Sequence, residues 1–412
     1  MHYSIKAPDF IRSSIRLPAS KSISNRVLII HALSEGAYIP SNLSEGDDTQ
    51  VMLRALKEMP REIDIHAAGT AMRFLTAYLS FAPGTHLLTG TERMKHRPIK
   101  LLVDALRTLG ARIDYVDKEG YPPLRIIGQP SGLWSDDKIE LPGDVSSQYI
   151  SALLLIGPYL KNGLTLRLTG TVVSKPYIDL TLNLMRQFGA EADWTDETVL
   201  MVKPRPYRSV AFTVENDWSA ASYWYETVAL SRSAETEITL NGLLRDSRQG
   251  DREVVRLFDR LGVSTEFDGY TVRLRRTGGL PSRFEYDFAN QPDLAQTLVV
   301  TCLLSGVPFV FTGLQSLRIK ETDRLIALTV EARKLGYVLS EVGGAELRWE
   351  GTRCDASTAI IDTYDDHRMA MAFAPASLVV PGIRINHPEV VSKSYPRYWE
   401  ELRHAGFTIE EG

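Results

Sequence analysis

A helical stretch that ends in glycine and passes at once into a short alternating strand recurs five times in this chain, at 105–115, 184–194, 257–267, 331–341 and 401–411. Gly110, Gly189, Gly262, Gly336 and Gly406 each stand where such a helix would stop. The backbone there needs a left-handed conformation, which glycine adopts without steric cost. Any one copy is also how an ordinary helix ends in an α/β protein; the similar apolar placement in five argues for a repeat. A sixth, degraded copy is expected at 51–65. The intervals of roughly 70 to 80 residues exceed those of solenoid repeats, so each copy marks a small α/β subdomain. Six subdomains divide into two groups of three, and 412 residues exceed what one hydrophobic core usually organises.

A formal net charge of −4 leaves no overall field to hold a nucleic acid, so a bound anion must be met by locally gathered Lys and Arg. Cys302, in the apolar run 298–304, and Cys354 are too few and too scattered for a disulfide framework or a thiolate metal site. No apolar run approaches the roughly 20 residues that span a bilayer, and the chain is expected in the cytoplasm with no membrane partner.

Polar motifs stand directly before apolar helical runs: Ser20-Lys21-Ser22, Gly69-Thr70, Ser146-Ser147-Gln148 and Pro292-Asp293. Helix N-termini carry unpaired N–H groups and partial positive charge, which suits anions, although Ser, Thr and Asp are also ordinary N-caps. Basic company favours the anion reading, since Lys21 with Arg26, Arg73, Arg97, Lys320 with Arg324, Arg368 and Lys393 lie in or beside these and similar motifs. Lys21-Ser22 lacks the preceding glycines of a P-loop, and no Gly-x-Ser-x-Gly elbow is present. Asp365-Asp366-His367 has no second ligand group to make a metal site. In the run from Arg318 to Arg324, read as a helix start, Lys320 and Arg324 share a face and Glu321 projects beside them. With Asp293, Glu321 forms a pair of carboxylates among cations, suited to proton transfers in opposite directions.

These segments resemble one family, 3-phosphoshikimate 1-carboxyvinyltransferase or EPSP synthase, over essentially the whole chain. The carriers are Ser20-Lys-Ser-Ile-Ser-Asn-Arg26, Ala68-Gly-Thr-Ala-Met-Arg73, Arg93-Met-Lys-His-Arg-Pro98, Val145-Ser-Ser-Gln148, Ser174-Lys-Pro-Tyr-Ile-Asp179, Lys320-Glu-Thr-Asp-Arg324 and Asp366-His-Arg-Met-Ala370. The resemblance implies an α/β fold of two similar domains, each of three βαβαββ subdomains, an inside-out α/β barrel of the enolpyruvyl transferase kind. One domain would comprise 1–18 with 217–412 and carry the phosphoenolpyruvate side and the proton-transfer residues. The other, 19–216, would make most shikimate 3-phosphate contacts, with the active site in a cleft that substrate closes.

By the same resemblance Lys21, Ser22, Arg26, Ser146, Ser147, Gln148, Ser174, Asp293 and Lys320 look like the shikimate 3-phosphate set. Lys21, Gly69, Arg97, Gln148, Arg324, Arg368 and Lys393 look like the phosphoenolpyruvate set. The reaction would be an addition–elimination through a tetrahedral intermediate, giving 5-enolpyruvylshikimate 3-phosphate and phosphate for chorismate and aromatic amino-acid synthesis. Asp293 is expected to accept the hydroxyl proton and Glu321 to protonate the methylene, with Lys21 a rival for that second role. No metal or organic cofactor and no nucleic acid is expected, and the enzyme is read as a monomer. Ala19, Ala67, Phe74 and Ser316 stand where the family commonly has Gly, Asn, Pro and Asn, which is expected to alter substrate affinity without abolishing activity. Two other readings are a UDP-N-acetylglucosamine enolpyruvyl transferase, for which Cys302 and Cys354 fall outside any matching loop, and a non-catalytic sensor, which would not require both Asp293 and Glu321.

Overall fold

The structure is a computed structural model and describes residues 1–34, 38–129, 134 and 137–412. The chain divides into two compact units, Met1–Pro18 with Glu215–Gly412 and Ala19–Val214.

Five four-stranded sheets share one topology, in which strands one and two are parallel, the fourth runs antiparallel beside the second, and the third forms the edge. In the 19–214 unit these are Glu62–Asp64, Thr85–Thr89, Leu124–Ile127 and Arg112–Tyr115, then Lys138–Pro142, Leu164–Thr169, Val199–Val202 and Ala192–Trp194. In the other unit, Arg12–Ile15 pairs in parallel with Glu237–Asn241, although the whole 19–214 unit lies between them in sequence. The sheet that includes Arg384–Asn386 takes its fourth strand, His2–Lys6, from the start of the chain. Inner strands such as Leu164–Thr169 and Glu237–Asn241 alternate more and less buried side chains, the pattern of a sheet covered on one face.

The helix between strands one and two of each repeat is buried nearly all round. Every residue of Ala295–Leu304 and of His367–Phe373 is buried, as is every residue but Ser219 in Trp218–Leu230, and these three helices pack on one another. Lys21–Leu33, Gly69–Leu79 and Ser147–Ile156 form the equivalent trio in the 19–214 unit. A helix covered on every side has no solvent-facing stripe, so within each unit these take the centre and the sheets lie outside them.

All five repeat glycines have positive φ, from +76° at Gly262 to +119° at Gly110. Gly262 itself donates to the Asp259 carbonyl at 3.3 Å, and at the other four the N–H of the following residue reaches back to a carbonyl five residues earlier, as Ala111 does to Leu106 at 2.9 Å and Phe407 to Leu402 at 3.0 Å. That is the Schellman closure, and the strand that follows is the sheet edge in every copy. The sixth copy differs from its reading. Helix Asp47–Glu58 ends on Met59 at φ +44°, and Glu62–Asp64 is the first strand of the next sheet rather than an edge strand of its own. In place of a sheet, the described residues of this copy contribute one isolated parallel bridge, Ser41 to Thr213.

Candidate active site

In the 19–214 unit four helices bring their N-terminal turns to one end. Arg26, Ser151 and Thr181 occupy the second turns of Lys21–Leu33, Ser147–Ile156 and Lys175–Gln187, and one guanidinium joins them: Nε donates to Thr181 Oγ1 at 2.7 Å and Nη2 to Ser151 Oγ at 3.1 Å. Arg26 also donates to the carbonyls of Ser22 at 2.8 Å and Tyr177 at 3.3 Å. Gln148 Nε2 donates to Thr70 Oγ1 at 3.1 Å, which ties the first turn of Ser147–Ile156 to that of Gly69–Leu79. Parallel helices with aligned N-termini present unpaired N–H groups and positive partial charge together, an anion-binding arrangement.

Capping accounts for part of this polarity. Ser20 accepts from Ile23 N, and Ser146 from Gln148 N. Ser174 makes no side-chain cap bond; it is 8% exposed and held at φ +56°, a costly conformation for a residue with a Cβ. Lys21 Nζ lies 3.1 Å from Asp48 Oδ2, a partner for which the sequence carried no signal. Burial pushes the Arg26 guanidinium down to about 10, and its four hydrogen bonds all go to neutral atoms. Phe74, one of the family departures, lies beneath it with 5.5 Å from the guanidinium carbon to the ring centre. The Arg97 guanidinium packs on Gly69 so closely that a Cβ there would sit 2.7 Å from Nη1. Arg73 fixes both neighbours of that contact by donating to the carbonyls of Gly69 at 3.1 Å and Pro98 at 3.3 Å.

In the unit of 1–18 with 215–412 the acidic and basic candidates form one network. Arg324 is 1% exposed. Its Nε lies 2.7 Å from Asp366 Oδ2 and its Nη2 3.3 Å from Oδ1, a two-pronged pair; Glu321 Oε2 lies 3.0 Å from Nη2 and Asp293 Oδ1 3.4 Å from Nη1. Arg368 Nη2 meets Asp293 Oδ2 at 2.8 Å and Lys393 Nζ meets Glu321 Oε1 at 3.1 Å. Burial alone would lower the proton affinity of Arg324; the charges of Asp366, Glu321 and Asp293 outweigh it and hold the group above its ordinary value. Lys320 goes the other way, pushed down by burial against the pull of Asp293.

The run 318–324 departs from its reading as a helix start. Gln315–Ile319, with the departure Ser316, is a 3-10 turn, Lys320 is extended, and the helix begins only at Arg324. Asp323 sets that start by accepting from Leu325 N and Ile326 N, each at 3.2 Å. Lys320 and Arg324 therefore do not share a helix face. Asp293 lies in the turn Pro292–Leu294 and does not cap the helix behind it, which leaves its carboxylate to the two arginines. Asp366, weighed in the sequence only as a metal ligand, is instead the N-cap of His367–Phe373 and the chief partner of Arg324. Among the described residues no group of three or more His, Cys, Asp or Glu is placed to hold a metal ion. Tyr223, also missed, is buried in Trp218–Leu230 and accepts from Arg368 Nη1 at 3.3 Å. Its apolar company in sequence gave no hint of a polar task.

Two similar units of repeated small sheets around buried helices, with cation-rich helix N-termini, define the architecture of the enolpyruvyl transferases. An EPSP synthase from Acinetobacter baumannii superposes with a TM-score of 0.78 at 22% identity over 100% of both chains. The enolpyruvyl transferase NikO from Streptomyces tendae gives 0.76 at 16% identity, covering 99% of this chain and 98% of that one. In sequence, a protein of Bacteroides fragilis called 3-phosphoshikimate 1-carboxyvinyltransferase is 59% identical over 100% of both chains, and one of Sulfurovum sp. with the same name is 37% identical over 97% of each. The family model described as EPSP synthase (3-phosphoshikimate 1-carboxyvinyltransferase) matches residues 5–64 and 59–402. This chain belongs to the EPSP synthase family, transferases of the shikimate pathway. No helix among the described residues is long and apolar enough to cross a membrane.

Proposed function

We propose that this chain carries the carboxyvinyl group of phosphoenolpyruvate to the 5-hydroxyl of shikimate 3-phosphate, with the residue roles that follow. The observation that carries this reading is the network in which Asp293 and Glu321 are each held by two cations, Arg324 and Arg368 for one and Arg324 and Lys393 for the other. Arg324, Arg368 and Lys393 bind the phosphate and carboxylate of phosphoenolpyruvate together with Lys21, Gly69, Arg97 and Gln148. Lys21, Ser22, Arg26, Ser146, Ser147, Gln148, Ser174, Asp293 and Lys320 hold shikimate 3-phosphate. Arg26, with four hydrogen bonds to internal partners, also fixes Ser22 and the second turns around it.

Asp293 accepts the proton of the attacking hydroxyl and Glu321 delivers one to the methylene carbon, with Lys21 the rival donor. An anionic substrate on Arg324 and Lys393 takes over the charge that holds Glu321 ionised, so the proton affinity of Glu321 rises as phosphoenolpyruvate binds. The same cations stabilise the departing phosphate. A monomer working in the cytoplasm belongs to the same reading, and the two free thiols, Cys302 and Cys354, fit a reducing compartment.

The test is phosphate release from phosphoenolpyruvate with shikimate 3-phosphate, with UDP-N-acetylglucosamine as rival acceptor and Asp293→Ala as control. Turnover with shikimate 3-phosphate alone, lost in the variant, is expected. Binding of shikimate 3-phosphate without turnover would overturn the reading and leave a sensor.

A further inference from the structure

The buried helix Trp218–Leu230 carries a polar stripe that the mechanism above does not use. Ser219, Ser222, Tyr223 and Glu226 recur at the spacing of one helix face. Three of them fasten parts of the site. The Ser219 hydroxyl donates to Asp251 Oδ2, Ser222 Oγ lies 3.1 Å from Thr297 Oγ1 on the helix directly behind Asp293, and Tyr223 accepts from Arg368, which holds Asp293.

Asp251 is 3% exposed, in the turn Gly250–Glu253. Gln249 anchors that turn to the start of the stripe helix by accepting from Trp218 N at 3.2 Å and donating to the Asn216 carbonyl at 2.8 Å. The charges that act on Asp251 are the carboxylates of Asp293 and Asp217 and the Arg368 guanidinium, and Asp251 in turn acts on the Tyr286 phenol of the strand Phe284–Asp287. Asp217 also caps Trp218–Leu230, accepting from Ala220 N at 3.0 Å. On the same turn Arg252 lies over the Phe267 ring and Glu253 pairs with Arg256. Burial first and the charge of Asp293 second push the Asp251 carboxyl up to about 7, against the pull of Ser219 and Arg368.

We propose that Asp251, fastened through Ser219 to the helix whose Tyr223 holds Arg368, is a positioning residue that sets the strength of Asp293 as a base through the Arg368 charge, an inference that rests on the reading of Asp293 as proton acceptor. With its proton on, Asp251 leaves the Arg368 charge to Asp293, which is then a weak base. With its proton off, Asp251 repels Asp293 and competes for the same guanidinium, so Asp293 binds a proton more tightly.

The experiment is the pH profile of kcat for Asp251→Asn and Ser219→Ala, beside Asp293→Asn, with thermal unfolding of each. Asp251→Asn is expected to lower kcat about tenfold near neutral pH and move its acid limb down by roughly one unit, with both KM values changed less than about threefold. Ser219→Ala, which removes a donor favouring the ionised form of Asp251, shifts the limb the same way by less. A lowered melting temperature with the limb in place would mean a purely structural role, and an unaltered profile in both variants would equally overturn the proposal. Asp293→Asn separates the two readings: full turnover there sinks the assignment of Asp293 and this inference with it. An inactive Asp293→Asn beside an unchanged Asp251→Asn sinks this inference alone.

Discussion

Arg324 is a buried cation whose charge is met by three carboxylates, and the two-pronged bond to Asp366 is the tightest of them. Removing one partner of a buried pair leaves an uncompensated charge, which typically costs about 3–5 kcal/mol. Glu321 and Asp293 still meet Arg324 when Asp366 goes, so Asp366→Asn is expected to lower unfolding free energy by less, about 1.5–3 kcal/mol, in urea denaturation and to depress kcat as Arg324 swings toward Asp293 and Glu321; wild-type stability would refute it. At Gly69 the crowding is local. A methyl group 2.7 Å from Arg97 Nη1 must displace the guanidinium. Gly69→Ala should raise KM for phosphoenolpyruvate about tenfold, the order of one weakened charge-assisted bond, and leave KM for shikimate 3-phosphate nearly unchanged, as steady-state kinetics will tell. The exchange of cations from Glu321 to substrate predicts proton uptake on phosphoenolpyruvate binding. Calorimetry in two buffers of different ionisation enthalpy detects it, and Glu321→Gln should abolish it.

The helix-ending glycines are the part of the fold that local chemistry decides, and they separate two costs. Gly406 needs only its left-handed backbone, since an added Cβ meets nothing closer than Pro8 Cγ at 3.4 Å, whereas at Gly262 it would lie 2.7 Å from the Gly278 carbonyl oxygen. Gly406→Ala should cost about 1–2 kcal/mol, the price of the left-handed conformation, and Gly262→Ala distinctly more, both read from urea midpoints. These ends were legible because a Schellman closure spans six residues. The start of Arg324–Lys334 was not, because the charge pattern of 318–324 fits a helix and a capped turn alike. Asp323 capping the helix, with its other oxygen on Arg318 Nη1 at 3.1 Å, decides between them.

Each unit keeps its own core of buried helices, and that interior is not wholly apolar. Glu226 is fully buried beside Thr301, and burial drives its carboxyl well above the ordinary carboxylate range. A carboxyl whose folded proton affinity exceeds its unfolded one contributes stability below the unfolded value, near 4.5, and loses it as pH rises toward the folded value. Glu226→Gln should therefore match wild type near pH 4.5 and exceed it by up to about 3 kcal/mol at pH 7. Melting temperatures across that range measure the difference, and parallel curves would mean that Glu226 is ionised in the fold.

What the amino-acid sequence determined by itself is whatever rests on neighbours in the chain: the glycine closures, the capping serines, the repeat that calls for six small subdomains, and motifs specific enough to place the family. Glu321, Arg324 and Arg368 were legible as candidates because each lies in such a motif, Asp293 because it precedes an apolar helical run, and Lys393 through the resemblance of the whole chain. Their pairings were not, since Arg324 and Asp366 are 42 positions apart and a carboxylate selects its cation by distance and burial. Tertiary structure alone decided that Asp366 serves an arginine, that Lys21 meets Asp48, that Tyr223 stands behind Arg368, and that Asp251 meets Ser219 of the same helix. It also exchanged the sixth sheet for a single bridge and gave the first strand of the chain to a sheet completed near its end. Backbone hydrogen bonding requires only a partner edge within reach, so such pairings answer to where the helices pack and not to order along the chain.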